Sequence, residues 1–308
     1  MKIIELDGQF QYQGEPVCSA IGFFDGLHKG HMALVESVLK VSKEKGYKSA
    51  LMTFDHHPLY VLGLINEEKQ LTSMHDRQML LEQKGIDYLF IIRFDQDVAK
   101  LSCQDFIERY IVSQNIQHVV CGYDFRFGDH HSGNAQTLKQ DSRFETTVEK
   151  EVMYDSEKIS SSRIRDVLSY GYVDKLVPLL GRHYCLSGKV IMGQQIGRTI
   201  GFPTANVDYG SYWLPHRGVY VVKFYCQQGC FMGMCNIGFN PTLQDLKRAS
   251  LEVYILDFQD DIYGQEVQVE FYQMLRLEKK FHSYQELVAQ LESDVKSVRE
   301  YFKDGFKI

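Results

Sequence analysis

Along the first half of the chain, short apolar runs alternate with segments of helical period. The runs at 17–24 (VCSAIGFF), 49–54 (SALMTF), 88–94 (YLFIIRF) and 117–121 (HVVCG) read as strands. Between them, residues 30–45 place Leu34, Val35, Val38 and Val41 on one side of a helix. Residues 75–84 form a helix with Met79 and Leu80 inward, and 103–114 form another. A strand near 146–153 and a helix from 162 follow. Strands that alternate with helices predict an α/β unit, with a parallel sheet wrapped on both sides.

The second half has a different pattern. Residues 184–191, 218–226, 230–237, 250–257 and 266–274 read as strands with turn residues between them. No helix intervenes until 283–302, where Leu287, Leu291, Val295 and Val298 form a helical stripe. Successive strands without crossover helices predict an antiparallel sheet or small barrel, closed by a C-terminal helix. The pattern changes near Leu180–Gly181, which predicts domains at 1–180 and 181–308. The sequence contains no internal repeat and no low-complexity segment.

Composition narrows the function classes. At 308 residues, 44% hydrophobic and 24% charged, the chain is long enough for two ordinary globular domains. Its net charge of −6 argues against a general nucleic-acid binder, since phosphate neutralisation needs a basic excess. No apolar run approaches the ~18 residues of a membrane span. The opening MKIIELDGQFQYQGEP lacks the apolar core of a signal peptide. Seven cysteines, an odd number without paired CxxC spacing, predict reduced thiols in a cytoplasmic protein.

Three segments of the first half carry candidate chemistry. The strand at 17–24 runs into Gly22-Phe23-Phe24-Asp25-Gly26-Leu27-His28-Lys29-Gly30-His31, which opens a helix. A helix N-terminus after a parallel strand offers N–H groups and a positive dipole end to phosphate. His28 and His31 can donate to phosphate oxygens, or the pair can have a structural or metal-binding duty. His56-His57 and His130-His131 add imidazoles, but no cysteine or carboxylate stands at ligand spacing near them. The second segment, Ile159-Ser160-Ser161-Ser162-Arg163-Ile164-Arg165, supplies hydroxyls that can simply cap a helix, and two arginines suited to forked pairing with phosphate. The third, Gly122-Tyr123-Asp124-Phe125-Arg126-Phe127-Gly128, leaves the C-terminal end of a strand, the ligand side of a parallel sheet. Phe125 and Phe127 can also be core residues.

In the second half, residues 193–206 hold three glycines, Arg198 and then Pro203-Thr204-Ala205-Asn206. Such a loop can wrap a polyphosphate with backbone N–H groups, or be a plain connection. Thr204 and Asn206 offer neutral oxygens suited to Mg²⁺. Glu252 lies in LEVYILD (251–257), where alternation puts Glu252, Tyr254 and Leu256 on one face. A strand glutamate usually faces solvent; facing a ligand, it can accept a hydroxyl proton.

Taken in order and spacing, GFFDGLHKGH, TFDHHP (53–58), CGYDFRFG (121–128) and ISSSRIR (159–165) resemble the FMN adenylyltransferase module of the prokaryotic bifunctional riboflavin kinase/FAD synthetases. GFPTAN (201–206), LPHRGVY (214–220), NIGFNPT (236–242), LEVYILD and RLEKKF (276–281) resemble the riboflavin kinase module of the same family. The resemblance implies a Rossmann-like nucleotidyltransferase domain followed by an antiparallel β-barrel kinase domain. It implies ATP binding at Gly22, Phe24, Gly26, His28, Gly30, His31, Ser161, Ser162 and Arg165, with the two histidines also catalytic. Phe54, His57, Pro58, Asp124 and Phe125 would lie on the flavin side of that site. In the kinase it implies ATP binding at Gly193, Gly197, Arg198, Gly201, Phe202, Pro203, Thr204 and Asn206. Mg²⁺ would be held through ATP by Thr204 and Asn206. Glu252 would be the catalytic base, and Arg276 would join it on the flavin side.

His56 departs from the family pattern, standing where proline is usual, and Asp124 is a variable point, where some members carry asparagine. The implied activity is ATP-dependent phosphorylation of riboflavin to FMN, then adenylylation of FMN to FAD with release of pyrophosphate. Flavins would be substrate and product, not redox cofactors. No nucleic acid or membrane partner is implied, and nothing sets an oligomeric state. Two rivals stand beside this reading: a nucleotidyltransferase for another phosphate acceptor, and a non-catalytic flavin-binding protein.

Overall fold

The computed structural model describes residues 1–193, 197, 200–238 and 249–303. The chain divides into two compact units, Met1–Ser161 and Ser162–Ile308. The first is built on a six-stranded sheet of β1 (Lys2–Leu6), β2 (Val17–Ile21), β3 (Lys48–Phe54), β4 (Tyr88–Ile92), β5 (Ile116–Gly122) and β8 (Glu145–Glu149). Two short hairpins accompany it, β6 (Arg126–Phe127) with β7 (Gly133–Asn134), and β9 (Met153–Tyr154) with β10 (Glu157–Lys158). Every pairing in the large sheet is parallel, in the order β1-β4-β3-β2-β5-β8.

The apolar runs form strands because both faces of the sheet are covered. Val17, Ile21, Met52, Phe90 and Val119 pack into one core with Phe106, Ile107 and Tyr110. Cys18, Ala20, Leu51, Leu89 and Val120 pack into a second with Leu34, Val35 and Val38. The helices are α1 (Lys29–Lys45), α2 (Pro58–Val61), α3 (Met74–Gln83), α4 (Gln96–Ala99), α5 (Cys103–Tyr110) and α6 (Ala135–Gln140).

Two local expectations are corrected, and one strand is added. Met79 is exposed rather than inward; α3 buries Arg77 and Leu81, one helical turn apart, instead. The 103–114 helix ends at Tyr110 and continues as a 3₁₀ turn over Val112–Gln114. The edge strand β1 was not expected, because its run is short and Ile3 is 47% exposed.

The order of the sheet fixes where a ligand can sit. From β2 the chain builds outward through β3 and β4, then returns to place β5 on the other side of β2. The loops that leave β2 and β5 therefore diverge at the carboxyl edge, which is the switch point of a doubly wound sheet. Gly22–His28 follows β2, and Tyr123–Phe125 follows β5.

The second unit takes α7 (Ser161–Ser169) from Ser162 on, a 3₁₀ turn (Val173–Leu176) and α8 (Val177–Leu180). A closed antiparallel barrel follows, ordered β11-β12-β15-β14-β13-β16. Its strands are β11 (Tyr184–Ile191), β12 (Thr204–Asp208), β13 (Gly218–Cys226), β14 (Gly229–Gly238), β15 (Ser250–Ile255) and β16 (Glu266–Arg276). The helix α9 (Tyr284–Lys303) lays Val298 and Phe302 against Val219, Val221 and Met234. β12 falls where a loop was expected. Thr204–Asn206 pair with Glu252–Tyr254, so the PTAN segment is laddered rather than wrapped.

The compact division precedes the change of pattern near Leu180 because 162–180 packs on the barrel. The Leu168 carbonyl accepts the His216 N–H at 2.8 Å, and a Cβ at Gly171 would meet Met274 Cε at 2.7 Å. Leu168, Val173, Leu176, Leu179 and Leu180 are buried there, each contributing ~1.5–3 kcal/mol. A fragment of residues 162–308 is expected to unfold at a higher urea concentration than one of residues 183–308. Equal midpoints would show that the segment contributes nothing to the barrel.

Candidate active sites

The first site is built at the switch point. Its loop is strained: Phe24 (φ 54°) and Leu27 (φ 39°) occupy left-handed backbone beside Gly26 (φ 89°). That geometry persists because buried contacts hold it. Asp25, 1% exposed, accepts the Leu71 and Thr72 N–H groups on Oδ1 at 2.8 and 3.2 Å. The Gly26 N–H donates to Thr72 Oγ1 at 2.9 Å. Thr53 Oγ1 and Arg77 Nη1 both donate to the Phe23 carbonyl, at 3.0 and 3.1 Å. Ser161 Oγ donates to the Asp25 carbonyl at 2.8 Å.

This scaffold sets two imidazoles at the start of α1. His28 is the N-cap, and its Nδ1 accepts the His31 N–H at 3.2 Å. An accepting Nδ1 leaves the proton of the neutral ring on Nε2, which is then a donor. The two rings stack at 3.7 Å, and Phe24 meets His31 edge-on at 5.3 Å. Gly22 opens the loop with its N–H on the Met52 carbonyl, and Gly30 is the second residue of α1. The helix carries no acidic side chain in its first turn, so its N–H groups and dipole remain suited to an anion.

The two flanking loops leave the same edge of the sheet. Phe54 ends β3 and packs edge-on against Phe94. His57 caps α2, accepting the Leu59 N–H at 3.1 Å, and Pro58 is its first residue. The His57 ring meets Phe23 at 4.6 Å, and Arg77 stands 5.2 Å over the same Phe23 ring. His56 does not stiffen the loop as proline would; its Nδ1 bonds Glu68 Oε2 at 2.8 Å. Past β5, Phe125 stacks on the buried Phe127 at 5.6 Å and packs against the core. Asp124 forms an ion pair with Lys158, which also lies 4.8 Å over the Tyr123 ring. Burial acts to lower the Lys158 pKa, but its bonds to Asp124 and Tyr123 outweigh this and raise it. Ser162 and Arg165 follow Ser161 on α7 in the second unit, where Arg165 lies 5.6 Å from the Trp213 ring.

The second site is a cavity of about 350 Å³ in the barrel unit. Gly197, Phe202, Thr204, Glu252 and Arg276 line it, together with Asn236, Tyr254, Glu278 and Lys279. Glu252 faces this cavity rather than bulk solvent, with Oε2 at 3.4 Å from Thr204 Oγ1 on the neighbouring strand. Asn206 stands opposite Glu252 in the β12–β15 ladder. A Cβ at Gly193 would fall 2.0 Å from Asn206 Nδ2, so only glycine lets that amide lie against the backbone. The Phe202 N–H donates to the Gly197 carbonyl at 2.8 Å, Gly201 (φ 83°) turns the chain, and Pro203 leads into β12. Arg198 lies outside the described residues. Behind the site, burial holds the Cys235 thiol well above its usual pKa, and the Glu252 charge adds to this.

Several contributors were not singled out in the sequence. Asp25 was inside a quoted motif without a role. Arg77 lay in a segment read only for helix period, and Lys158 just before the serine segment, in a stretch given no reading. Asp294 had a signal, since it interrupts the apolar stripe of α9 with a buried carboxylate.

Comparison with known proteins agrees with a two-site chain. The FAD synthetase family model matches residues 11–163, and the riboflavin kinase model matches 180–302. A bifunctional riboflavin kinase/FMN adenylyltransferase of Listeria monocytogenes is 40% identical, covering 92% of this chain and 91% of its own. The Bacillus subtilis protein of the same name is 39% identical, with 92% of each chain covered. A solved structure from Streptococcus pneumoniae, described as a macrolide-efflux protein, has a TM-score of 0.90 at 32% identity. That likeness covers 97% of this chain and 99% of the other.

The His56–Glu68 pair yields a pH prediction. Its hydrogen bond to Glu68 raises the His56 pKa above 6.5. A raised folded-state value means the pair stabilises the fold below about pH 6.5 and loses that contribution as pH climbs through the higher value. An NMR titration is expected to place His56 above its ordinary value, and Glu68→Gln to return it downward. An unshifted His56 in the unaltered protein would contradict the pairing.

Proposed function

Since this chain belongs to the bifunctional riboflavin kinase/FMN adenylyltransferase family, we propose which of its residues carry each of the two reactions. It is an enzyme with both activities: ATP and riboflavin give FMN, and ATP and FMN give FAD. The observation that carries the assignment is Glu252, a carboxylate lining the barrel cavity beside Thr204 and Asn206.

In the kinase, Glu252 takes the proton of the riboflavin 5′-hydroxyl as its oxygen attacks the γ-phosphorus, and ADP leaves. A positioned general base of this kind contributes ~10²–10⁴ in rate. Gly193, Gly197, Arg198, Gly201, Phe202 and Pro203 are the ATP-side segment, and Arg276 faces the flavin. Thr204 and Asn206 suit Mg²⁺: they are neutral oxygen donors beside one carboxylate, and no cluster of three or more His, Cys, Asp or Glu stands among the described residues as an all-protein cage. Bound with ATP at Thr204 and Asn206, the ion would neutralise charge on the transferred phosphate.

In the adenylyltransferase, an FMN phosphate oxygen attacks the α-phosphorus of ATP, and pyrophosphate leaves. No covalent nucleophile is required; positioning and charge stabilisation suffice. His28 and His31 donate to the phosphates at the α1 N-terminus, with Gly22, Phe24, Gly26 and Gly30 shaping the loop. Ser161, Ser162 and Arg165 are assigned to the triphosphate, and Phe54, His57, Pro58, Asp124 and Phe125 to the flavin side. On function the modules divide at 180/181, although residues 162–180 pack with the barrel. A cytoplasmic setting is supported by the substrates and by seven cysteines of which none forms a disulfide. Among the described residues no helix is long and apolar enough to cross a membrane.

Two variants separate the reactions, with FMN and FAD resolved chromatographically. Glu252→Gln is expected to lower FMN formation by about 10²–10⁴ while sparing FMN-to-FAD conversion. An unchanged kinase rate would remove Glu252 as the base. The combined His28→Ala and His31→Ala variant is expected to lose FAD formation by about 10² or more and keep the kinase. Retained FAD synthesis would end that assignment.

A further inference from the structure

The C-terminal helix carries a buried carboxylate on its apolar side. Leu287 and Leu291 of α9 line the barrel cavity, and Val298 packs in the core below it. Asp294 falls on the same helical face, three residues past Leu291 and four before Val298, and is 4% exposed. A charge taken out of water at such a position is retained only when it is paired and hydrogen-bonded.

Its partner is Arg276. Asp294 Oδ2 accepts Arg276 Nη2 at 2.8 Å and Nε at 3.0 Å, and Oδ1 accepts Gln290 Nε2 at 2.9 Å. The guanidinium is thus held by one edge in a fork. Its Nη1 donates to the Leu277 carbonyl at 3.2 Å, and its Cζ lies 5.8 Å from the centre of the Phe281 ring. Arg276 ends β16, and Glu278, Lys279 and Phe281 just beyond it also line the cavity. One carboxylate on α9 therefore sets the direction of the cationic side chain from which the cavity-lining segment departs.

We propose that Asp294 is a positioning residue for riboflavin phosphorylation, acting through Arg276 to fix the flavin side of the kinase cavity. This rests on the assignment of Arg276 to the flavin side. A clamp that served only the fold would change the stability of the barrel. It would not shift riboflavin affinity selectively.

The test uses the full chain and compares Asp294→Asn, Arg276→Ala, Arg276→Lys and the Asp294→Asn/Arg276→Ala pair. Riboflavin KM, ATP KM and kcat for FMN formation are measured, with FMN-to-FAD conversion and the thermal midpoint read on the same samples. Asp294→Asn is expected to raise riboflavin KM about tenfold, with ATP KM within about twofold and FAD formation unchanged. Arg276→Lys keeps the charge but loses the fork, and is expected to give a rise of about the same size without a fall in midpoint. In the Arg276→Ala background, Asp294→Asn is expected to add nothing further. A wild-type riboflavin KM in both Asp294→Asn and Arg276→Lys overturns the proposal. So does an Asp294→Asn effect of equal size with and without Arg276. An Arg276→Ala chain with unchanged riboflavin KM overturns the flavin-side assignment itself, and the proposal with it. A raised KM in Arg276→Ala, with none in Asp294→Asn, rejects the positioning role alone.

Discussion

An acidic chain that uses ATP at two places must meet each polyphosphate with local donors, because its overall field repels anions. At a net charge of −6, long-range attraction is not available to gather the nucleotide. On the proposed assignment, the first unit answers with the N-terminus of α1 and the imidazoles of His28 and His31, on a loop strained at Phe24 and Leu27. On the same assignment, the barrel answers with Thr204 and Asn206, on a strand laddered to the one carrying Glu252.

The scaffolds reach that end by different physics. In the parallel sheet, strand direction brings every β-to-loop exit to one edge, and the switch between β2 and β5 parts two of those loops. Precision then comes from buried anchors, above all Asp25, whose carboxylate caps the Leu71–Thr72 backbone. In the closed barrel there is no such edge. Alternation along β12, β14 and β15 brings Thr204, Asn236 and Glu252 to one cavity while Leu251 and Val253 fill the interior. The C-terminal helix completes that cavity with Leu287 and Leu291.

Much of this was legible in the sequence, for identifiable reasons. Continuous apolar runs separated by helical stripes specify a doubly covered parallel sheet, and β2, β3, β4 and β5 lie where those runs are. The switch from alternation with helices to strands alone announced the barrel. The motif at Gly22–His31 fell at a strand-to-helix turn, as its glycines and histidines required. What the sequence hid was non-local. Thr204–Asp208 is polar enough to read as a loop and becomes a strand only through pairing with β11 and β15. Met79 and Arg77 exchange the roles their polarity suggests, because Arg77 spends its donors on the Phe23 and Thr72 carbonyls. Segment 162–180 looks helical and so belongs by pattern to the first half, yet it packs against Tyr220 and Met274 of the barrel.

The account stands on two separate transfers from two molecules of ATP. Its most direct test is to supply riboflavin with ATP labelled either at the γ-phosphate or at the α-phosphate and to locate the label in the FAD formed. The account predicts γ-label in the flavin-side phosphate and α-label in the adenylyl-side phosphate. FAD whose two phosphates both derive from one nucleotide, or riboflavin left unconverted, would contradict it.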